Sequence, residues 1–500
     1  LRMKKQDQYK DFNVVAIDLG TTTTALAVRL ASEPNKIRTF SPISLLEEAQ
    51  KTESDLHVFL MDANEKITTE NSQLGNKIMQ KFEDQQYKLH YHVKEYKKAL
   101  YEAKDYQGMP IDQTSLDGMI NYPQLPLVKT ECETRQFKLS DIYETIVAHI
   151  KIALKEWLQQ EGLLASFDVN NTMWVITVPA IAGPKQKEFM KKIFMQGMDY
   201  SFLGKKLDDR KLYCVLEPEG AILYTLMNGA KRRVVIPDDK NVNIAVINIE
   251  GGTFEVIVAS FKNGMDPEIK KSNFGSCVGG ADVDKRFLAD IQELTCFKLF
   301  VEEQKIPQVE QQIIMSNILS QFQRQKHEFF GQNSHNEYLK IDINKMIFLE
   351  EQIETLIENL KNDDWGIENE KDVVLFDNCG NYSLAFKVSF FISHYINPIA
   401  NNVSNKIKQL IETSKICKID KCIILSDFCH TKLQAEFFND FEIINLGDDS
   451  NRAIVMGATM FNRFNLKKEI PQYIGLEVRH EKAELQPEQI NFIKQHMPDF

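Results

Sequence analysis

The chain has 500 residues, 43% apolar and 26% charged, with a formal net charge of −11 and a pI of about 5.6. These are ordinary globular proportions, and a chain of this length buries several cores without disulfide or metal staples. The acidic balance argues against nucleic acid or an anionic membrane as the main partner, because both select a basic surface. The one tight basic run, Lys231-Arg232-Arg233, reads as a solvated loop at a helix end.

The opening LRMKKQDQYK is polar and has no apolar stretch of signal-peptide type, so residues 1–12 are expected to be disordered and no secretory leader is expected. Residues 13–30 then read strand, turn, strand: Val14-Val15-Ala16-Ile17, the turn Asp18-Leu19-Gly20-Thr21-Thr22-Thr23-Thr24, and Ala25-Leu26-Ala27-Val28. Residues 45–135 are rich in Lys, Glu, Gln and Tyr with weak periodicity, which predicts a charged, partly helical peripheral subdomain. Ile142, Ile146, Ile150 and Leu154 recur at spacing four and predict an amphipathic helix over 140–157.

Trp174 to Pro179 is a buried strand leading into a helix with Phe189, Ile193 and Phe194. Tyr213 to Leu216 is a strand, and Glu217-Pro218 opens a helix, proline being pre-set for the first helical position. Gly229 is its expected stop. Residues 242–261 repeat the opening design: strand Ile244–Ile247, turn Asn248-Ile249-Glu250-Gly251-Gly252-Thr253, then strand Phe254–Ala259. An internal repeat this widely spaced means a duplicated lobe rather than a solenoid. Further helices are expected at 309–330, 349–362, 399–415 and about 452–463, with a strand at 422–425. Eight cysteines, none in a C-x-x-C pair, read as reduced thiols packed inside, and no apolar stretch is long enough to span a membrane.

A Gly/Thr turn between strands can aim backbone N–H groups and hydroxyls at an anion, and glycine lets the backbone approach phosphate without a Cβ in the way. Two such turns, one opening each half of the chain, suggest that a pair of phosphates is gripped from both sides. Asp18, at the end of a buried strand, suits a magnesium partner acting through water; its bland alternative is an Asx-turn residue.

At these residues the sequence resembles the 70-kDa heat-shock family. Asp18-Leu19-Gly20-Thr21-Thr22 resembles its first phosphate motif, and Trp174 to Ala180 its V-I-T-V-P-A strand. Glu217-Pro218-Glu219-Gly220-Ala221 is similar to its N-E-P-T-A-A helix start, Gly251-Gly252-Thr253-Phe254 to part of its second phosphate motif, and Gly279 to Asp284 to G-G-E-D-F-D. The W-V-I-T-V-P-A-I and L-E-P-E variants look like the divergent member-twelve branch. The resemblance runs from about residue 13 to 464 with the motifs in order.

It implies an α/β, actin-like ATPase fold, with duplicated ribonuclease-H-like lobes around an interlobe nucleotide cleft. Lobe I would span 13–240 and lobe II 241–464, with a helical subdomain at about 282–385 and a vestigial tail at 465–500. It implies ATP/ADP and Mg²⁺ as cofactors. Gly20, Thr21, Thr22, Gly251, Gly252 and Thr253 would touch phosphates, with Asp18 at the metal. Glu217 and Asn248 would stand at the catalytic positions, Gly279 and Gly280 beside ribose or phosphates, and Lys326 and Ser426 at the adenosine end. Taken alone, Lys326 reads as a solvated helix residue and Glu217 as an N-terminal helix charge.

The pattern breaks inside the site. The second phosphate motif reads D-x-G-G-G-T-x-D in the family; here Asn248 replaces its first carboxylate, Glu250 a glycine, and Glu255 the last aspartate. Ser426-Asp427 replace two glycines, Gln323 and His327 stand where a glutamate and an arginine are expected, and the family's catalytic lysine has no counterpart except Lys77, by position alone. The expected function is therefore a cytoplasmic, ATP-binding, chaperone-like switch with weak ATPase activity. The alternative is a pseudo-ATPase that recruits protein partners through residues 45–135. A sugar- or acid-kinase relative is a third reading, without an assignable catalytic acid. The family's peptide-binding domain is not expected in the roughly 35 residues after 464.

Overall fold

In the computed structural model, the residues described are 12–20, 23–40, 52–53, 56–61, 65–74, 89–93, 96–97, 100, 127–129, 136–227, 242–261, 267–276, 279–293, 298, 301–302, 305, 308–330, 337–343, 373–378, 381–413, 419–426, 442–444, 446, 452–464 and 467–468. Leu1–Lys467 cluster into one compact unit and Lys468–Phe500 into a second. The expected features at 1–11, Lys77, Gly229, 231–233, 349–362 and 473–478 lie outside the described residues.

The first sheet is built from β1 (Asn13–Leu19), β2 (Thr23–Arg29), β3 (Ile37–Phe40), β4 (Thr52–Glu53), β5 (Thr172–Val178) and β6 (Leu212–Leu216), in the order β6-β5-β1-β2-β3 with β4 also on β2. β1 is antiparallel to β2 and parallel to β5, and β5 is parallel to β6. Every residue of β1 is buried, because layers cover both faces of the sheet. Val15, Ile17 and Leu19 point to one layer, packed with α1 (Leu139–Gln160) and α2 (Pro184–Gly197). Val14 and Ala16 point to the other. Burying each large aliphatic of this kind stabilises by about 1.5–3 kcal/mol. The spacing-four stripe of α1 is buried as the sequence predicts, and Trp174 of β5 is wedged between Phe194 and Phe202.

The second sheet contains β7 (Val242–Ile249), β8 (Phe254–Phe261), β9 (Glu268–Ser276), β10 (Lys421–Ser426) and β11 (Glu442–Ile444), in the order β11-β10-β7-β8-β9. β7 is antiparallel to β8 and parallel to β10, which is parallel to β11. One face packs under α4 (Gly280–Glu293) and α5 (Gln308–Phe330), where Phe287 and Phe322 stack with centroids 3.8 Å apart.

Between the two sheets lies a layer of two helices, α3 (Glu217–Met227) and α6 (Ala453–Ala458). Ala221, Ile222 and Ile454 join the core of the second sheet, whereas Leu223, Val455 and Ala458 join the core of the first. The helices cross backbone to backbone. A Cβ on Gly457 would stand 1.8 Å from the Gly220 carbonyl oxygen, and one on Gly220 would stand 2.4 Å from that of Ile454.

Three expectations are corrected. Within 45–135, which is helical at residues 96, 97 and 100, Leu56–Leu60, Ser72–Leu74 and Leu89–Val93 form a three-stranded antiparallel sheet that was not expected, since alternation of side chains there buries Leu56, Val58, Leu60, Tyr91 and Val93. Within 282–385, Tyr338–Asp342, Val373–Asn378 and Asn381–Lys387 form another such sheet, so that subdomain is not purely helical. The helix expected to reach residue 463 stops at Ala458. Arg29 Nε claims the Thr459 carbonyl at 3.0 Å, and the chain continues in tight turns instead.

Gly457→Ala inserts a methyl where backbone already stands, so it should destabilise by about 3 kcal/mol. Urea unfolding followed by circular dichroism checks this against the wild type.

Candidate functional site

β1 and β7 end side by side with polar residues one position before their last. Asp18 of β1 is held by Thr177 of the parallel neighbour β5, whose hydroxyl donates to Asp18 Oδ1 at 2.5 Å. Glu217 follows β6 directly and is fully buried at the start of α3. Asn248 belongs to β7, and Glu250 is in the turn beyond it.

The side chain that joins these groups is Lys97. Its ammonium donates to Glu217 Oε1 at 2.7 Å and to Glu250 Oε2 at 3.2 Å, and Lys97 is almost completely buried. The Asn248 amide donates to Glu250 Oε1 at 3.2 Å and approaches Glu217 Oε2 at 3.4 Å. Glu250 therefore points into the site and not away from it. Carboxylate oxygens of Asp18, Glu217 and Glu250 lie within 4.8 Å of one another. Glu250 of the second turn thus meets Asp18, which stands at the end of the strand before the first turn.

Electrostatics follow from crowding. Burial pushes the Glu217 carboxyl well above its usual range, Glu250 adds to the rise, and Lys97 opposes it. Burial, then Glu250, raises Glu255 from 4.5 to about 8. Glu255 sits on β8, where Oε2 accepts the Ala180 N–H at 2.7 Å and Oε1 faces the Thr253 hydroxyl at 3.4 Å.

The donor set fits a hydrated divalent cation. Four buried carboxyls, Asp18, Glu217, Glu250 and Glu255, surround one lysine, and the three that converge offer the hard oxygens that Mg²⁺ takes directly or through its waters. Asp18 and Glu250, both slightly exposed, are the residues that would hold such an ion.

The remaining predicted residues fall around this centre. Gly20, Gly251, Gly252 and Thr253 are buried at the two turns. Gly279 and Gly280 open α4 on top of the second turn: Gly280 N–H donates to the Glu250 carbonyl at 2.9 Å and Ala281 N–H to that of Gly251 at 2.6 Å. A Cβ on Gly279 would come within 2.2 Å of the Glu250 carbonyl oxygen, so this glycine is required by helix docking. Ser426 ends β10 in register with Ile249, next to the turn. Thr21, Thr22 and Asp427 lie outside the described residues.

Lys326 is not a solvated helix residue. It is buried, ion-paired with Asp284, and 3.3 Å from the Gly280 carbonyl, while Gln323 holds the other Asp284 oxygen at 2.9 Å. Of the described cysteines, Cys214 and Cys422 are free, and burial pushes their thiols up to about 11 and about 12.

Two side chains escape sequence reasoning. Thr177 carried a signal, a hydroxyl in the apolar run Trp174–Val178. Lys97 carried none, being one of several lysines in a charged segment.

Two predictions follow from this chemistry. A carboxyl whose folded pKa is raised stays protonated in the fold while it ionises in the unfolded chain. Glu255 therefore makes stability fall as pH rises from about 4.5 to about 8. Glu255→Gln should flatten that fall, read as melting temperature against pH in metal-free buffer. Asp284→Ala leaves the Lys326 ammonium buried without its partner and should cost about 3–5 kcal/mol in urea unfolding, with Asp284→Ala/Lys326→Met recovering much of the loss.

Among the described residues no helix is long and apolar enough to cross a membrane. No curated protein matches the chain. Residues 221–359 match the family model described as Hsp70 protein. The matched stretch carries Asn248, Glu250, Thr253, Gly279, Gly280 and Lys326, and it supports the Hsp70 resemblance and, with it, the actin-like ATPase fold for this mixed α/β chain.

Proposed function

We propose that this chain is an ATP-binding, Hsp70-like protein: a nucleotide-dependent switch with weak ATPase activity, built on two duplicated lobes that close around Mg-ATP. The single observation that carries the reading is the convergence of Asp18, Lys97 and Glu217 with Asn248 and Glu250 at the ends of β1, β6 and β7. The pairing patterns support duplication. In each sheet an antiparallel pair is joined by a Gly/Thr turn (β1 with β2, β7 with β8), and two further parallel strands follow on the same side (β5 and β6, β10 and β11). The family match supports the cofactors, since Hsp70 proteins bind ATP and ADP with Mg²⁺.

In this reading Gly20, Thr21, Thr22, Gly251, Gly252 and Thr253 offer N–H and hydroxyl donors to phosphate oxygens. Lys97, rather than Lys77, stands where the resemblance expects a catalytic lysine and balances the charge of the carboxyls and phosphates. Asp18 and Glu250 would hold the ion, directly or through its waters. Glu217, its two oxygens held by Lys97 and Asn248, helps to place the attacking water. Bound Mg²⁺ would supply the positive charge that in-line phosphoryl transfer requires. Gly279, Gly280, Lys326 and Ser426 flank the ribose and adenosine end.

A second reading, a pseudo-ATPase scaffold for protein partners, is favoured by Asn248, an amide where the family motif has a carboxylate. Calorimetric titration with ATP and ADP, with and without Mg²⁺, tests the shared part. Saturable, Mg²⁺-dependent binding is expected, weakened about 10–100-fold by Asp18→Ala. No heat at millimolar ATP overturns both readings. Phosphate release that Asp18→Ala abolishes favours the ATPase. Binding without release favours the scaffold.

A further inference from the structure

We propose that Glu250 carries the metal-facing carboxylate of this site, transposed from position 248, and that Asn248 is its positioning residue. The inference deepens the Mg-nucleotide reading and rests on it.

Lys97, Glu217, Asn248 and Glu250 form a closed ring. Each glutamate turns one oxygen to the Lys97 ammonium, at 2.7 and 3.2 Å, and the other to the Asn248 amide, at 3.4 and 3.2 Å. Two donor groups therefore separate two carboxylates. An aspartate at 248 could not close this ring: it has no N–H to offer and would add another negative charge around one lysine. Asparagine at 248 is thus the residue that glutamate at 250 requires. The two departures from the phosphate motif are one coupled exchange and not two independent losses.

The ring also shows which carboxylate is available to an ion. The Glu217 side chain is 0% exposed, whereas that of Glu250 is 11% exposed and lies at the rim. Its oxygen is within 4.8 Å of those of Asp18 and Glu217, a separation that water molecules of a hydrated cation can bridge. The charge absent from 248 is retained two residues along the turn. Asn248, fixed by both glutamates, sets the direction of the Glu250 side chain.

The test is calorimetry of ADP binding with Mg²⁺ and in EDTA, on wild type, Glu250→Gln, Asn248→Asp and Asn248→Asp/Glu250→Gln. Glu250→Gln, nearly isosteric, should weaken Mg-ADP binding about 10–100-fold and leave ADP binding in EDTA little changed. Asn248→Asp alone should weaken Mg-ADP binding as well, and the double variant should bind it better than either single variant. A purely structural role for Glu250 would move both titrations together and would overturn the proposal. Tighter Mg-ADP binding by Glu250→Gln would overturn it too, by identifying the carboxylate as a plug that competes with phosphate for Lys97. Simple addition of the two effects in the double variant would likewise overturn the coupling. Wild-type protein that binds no nucleotide at all would defeat the functional reading itself, and that result is distinguishable from these. Melting curves of each variant establish that the protein titrated is folded.

Discussion

Removing a charge from water is expensive, and several buried charges must compensate one another or change protonation state. This constraint governs the centre of the molecule. The Lys97 ammonium and the Glu217 carboxyl are both buried and meet at 2.7 Å, and burial pushes the Glu217 carboxyl well above its usual range while Lys97 opposes the rise. The partners come from chain segments more than a hundred residues apart. The peripheral segment around Lys97, the start of α3 and the second turn are therefore tied by one electrostatic requirement. Losing any one of these segments leaves the others with an uncompensated group.

The fold makes this assembly affordable by bringing strand ends together. Parallel pairing of β1 with β5 places Thr177 beside Asp18, and parallel pairing of β7 with β10 places Ser426 beside Ile249. The start of α4 then seats its N–H groups on carbonyls of the second turn, which fixes the turn before any ligand is considered. Rigidity at the turn is what lets small side-chain differences, such as an amide at 248, have large consequences.

Much of this was legible in the sequence. Apolar runs broken by Gly/Thr turns located β1, β2, β7 and β8, because strands buried on both faces need unbroken hydrophobicity. The carboxylates Asp18 and Glu217 were legible for the same reason, as charges at the edges of such runs. Lys97 was not, since its neighbours are also lysines and only the tertiary fold selects one of them. The small sheet containing Leu56–Leu60 and Leu89–Val93 was misread because its bulk composition is polar; the alternation in Leu-His-Tyr-His-Val was the better guide. The direction of the Glu250 side chain was unreadable too, as a turn residue can face either way until its partners are known.

The crossing of α3 over α6 has a mechanical meaning. Side chains normally lock packed helices like teeth, and repositioning them means lifting knobs out of holes. At Gly220 and Gly457 there are no teeth, and peptide planes rest on each other. Such a joint leaves no room to be thickened. Because its two helices contribute to the cores of both sheets, a side chain added at either glycine would disturb both cores at once.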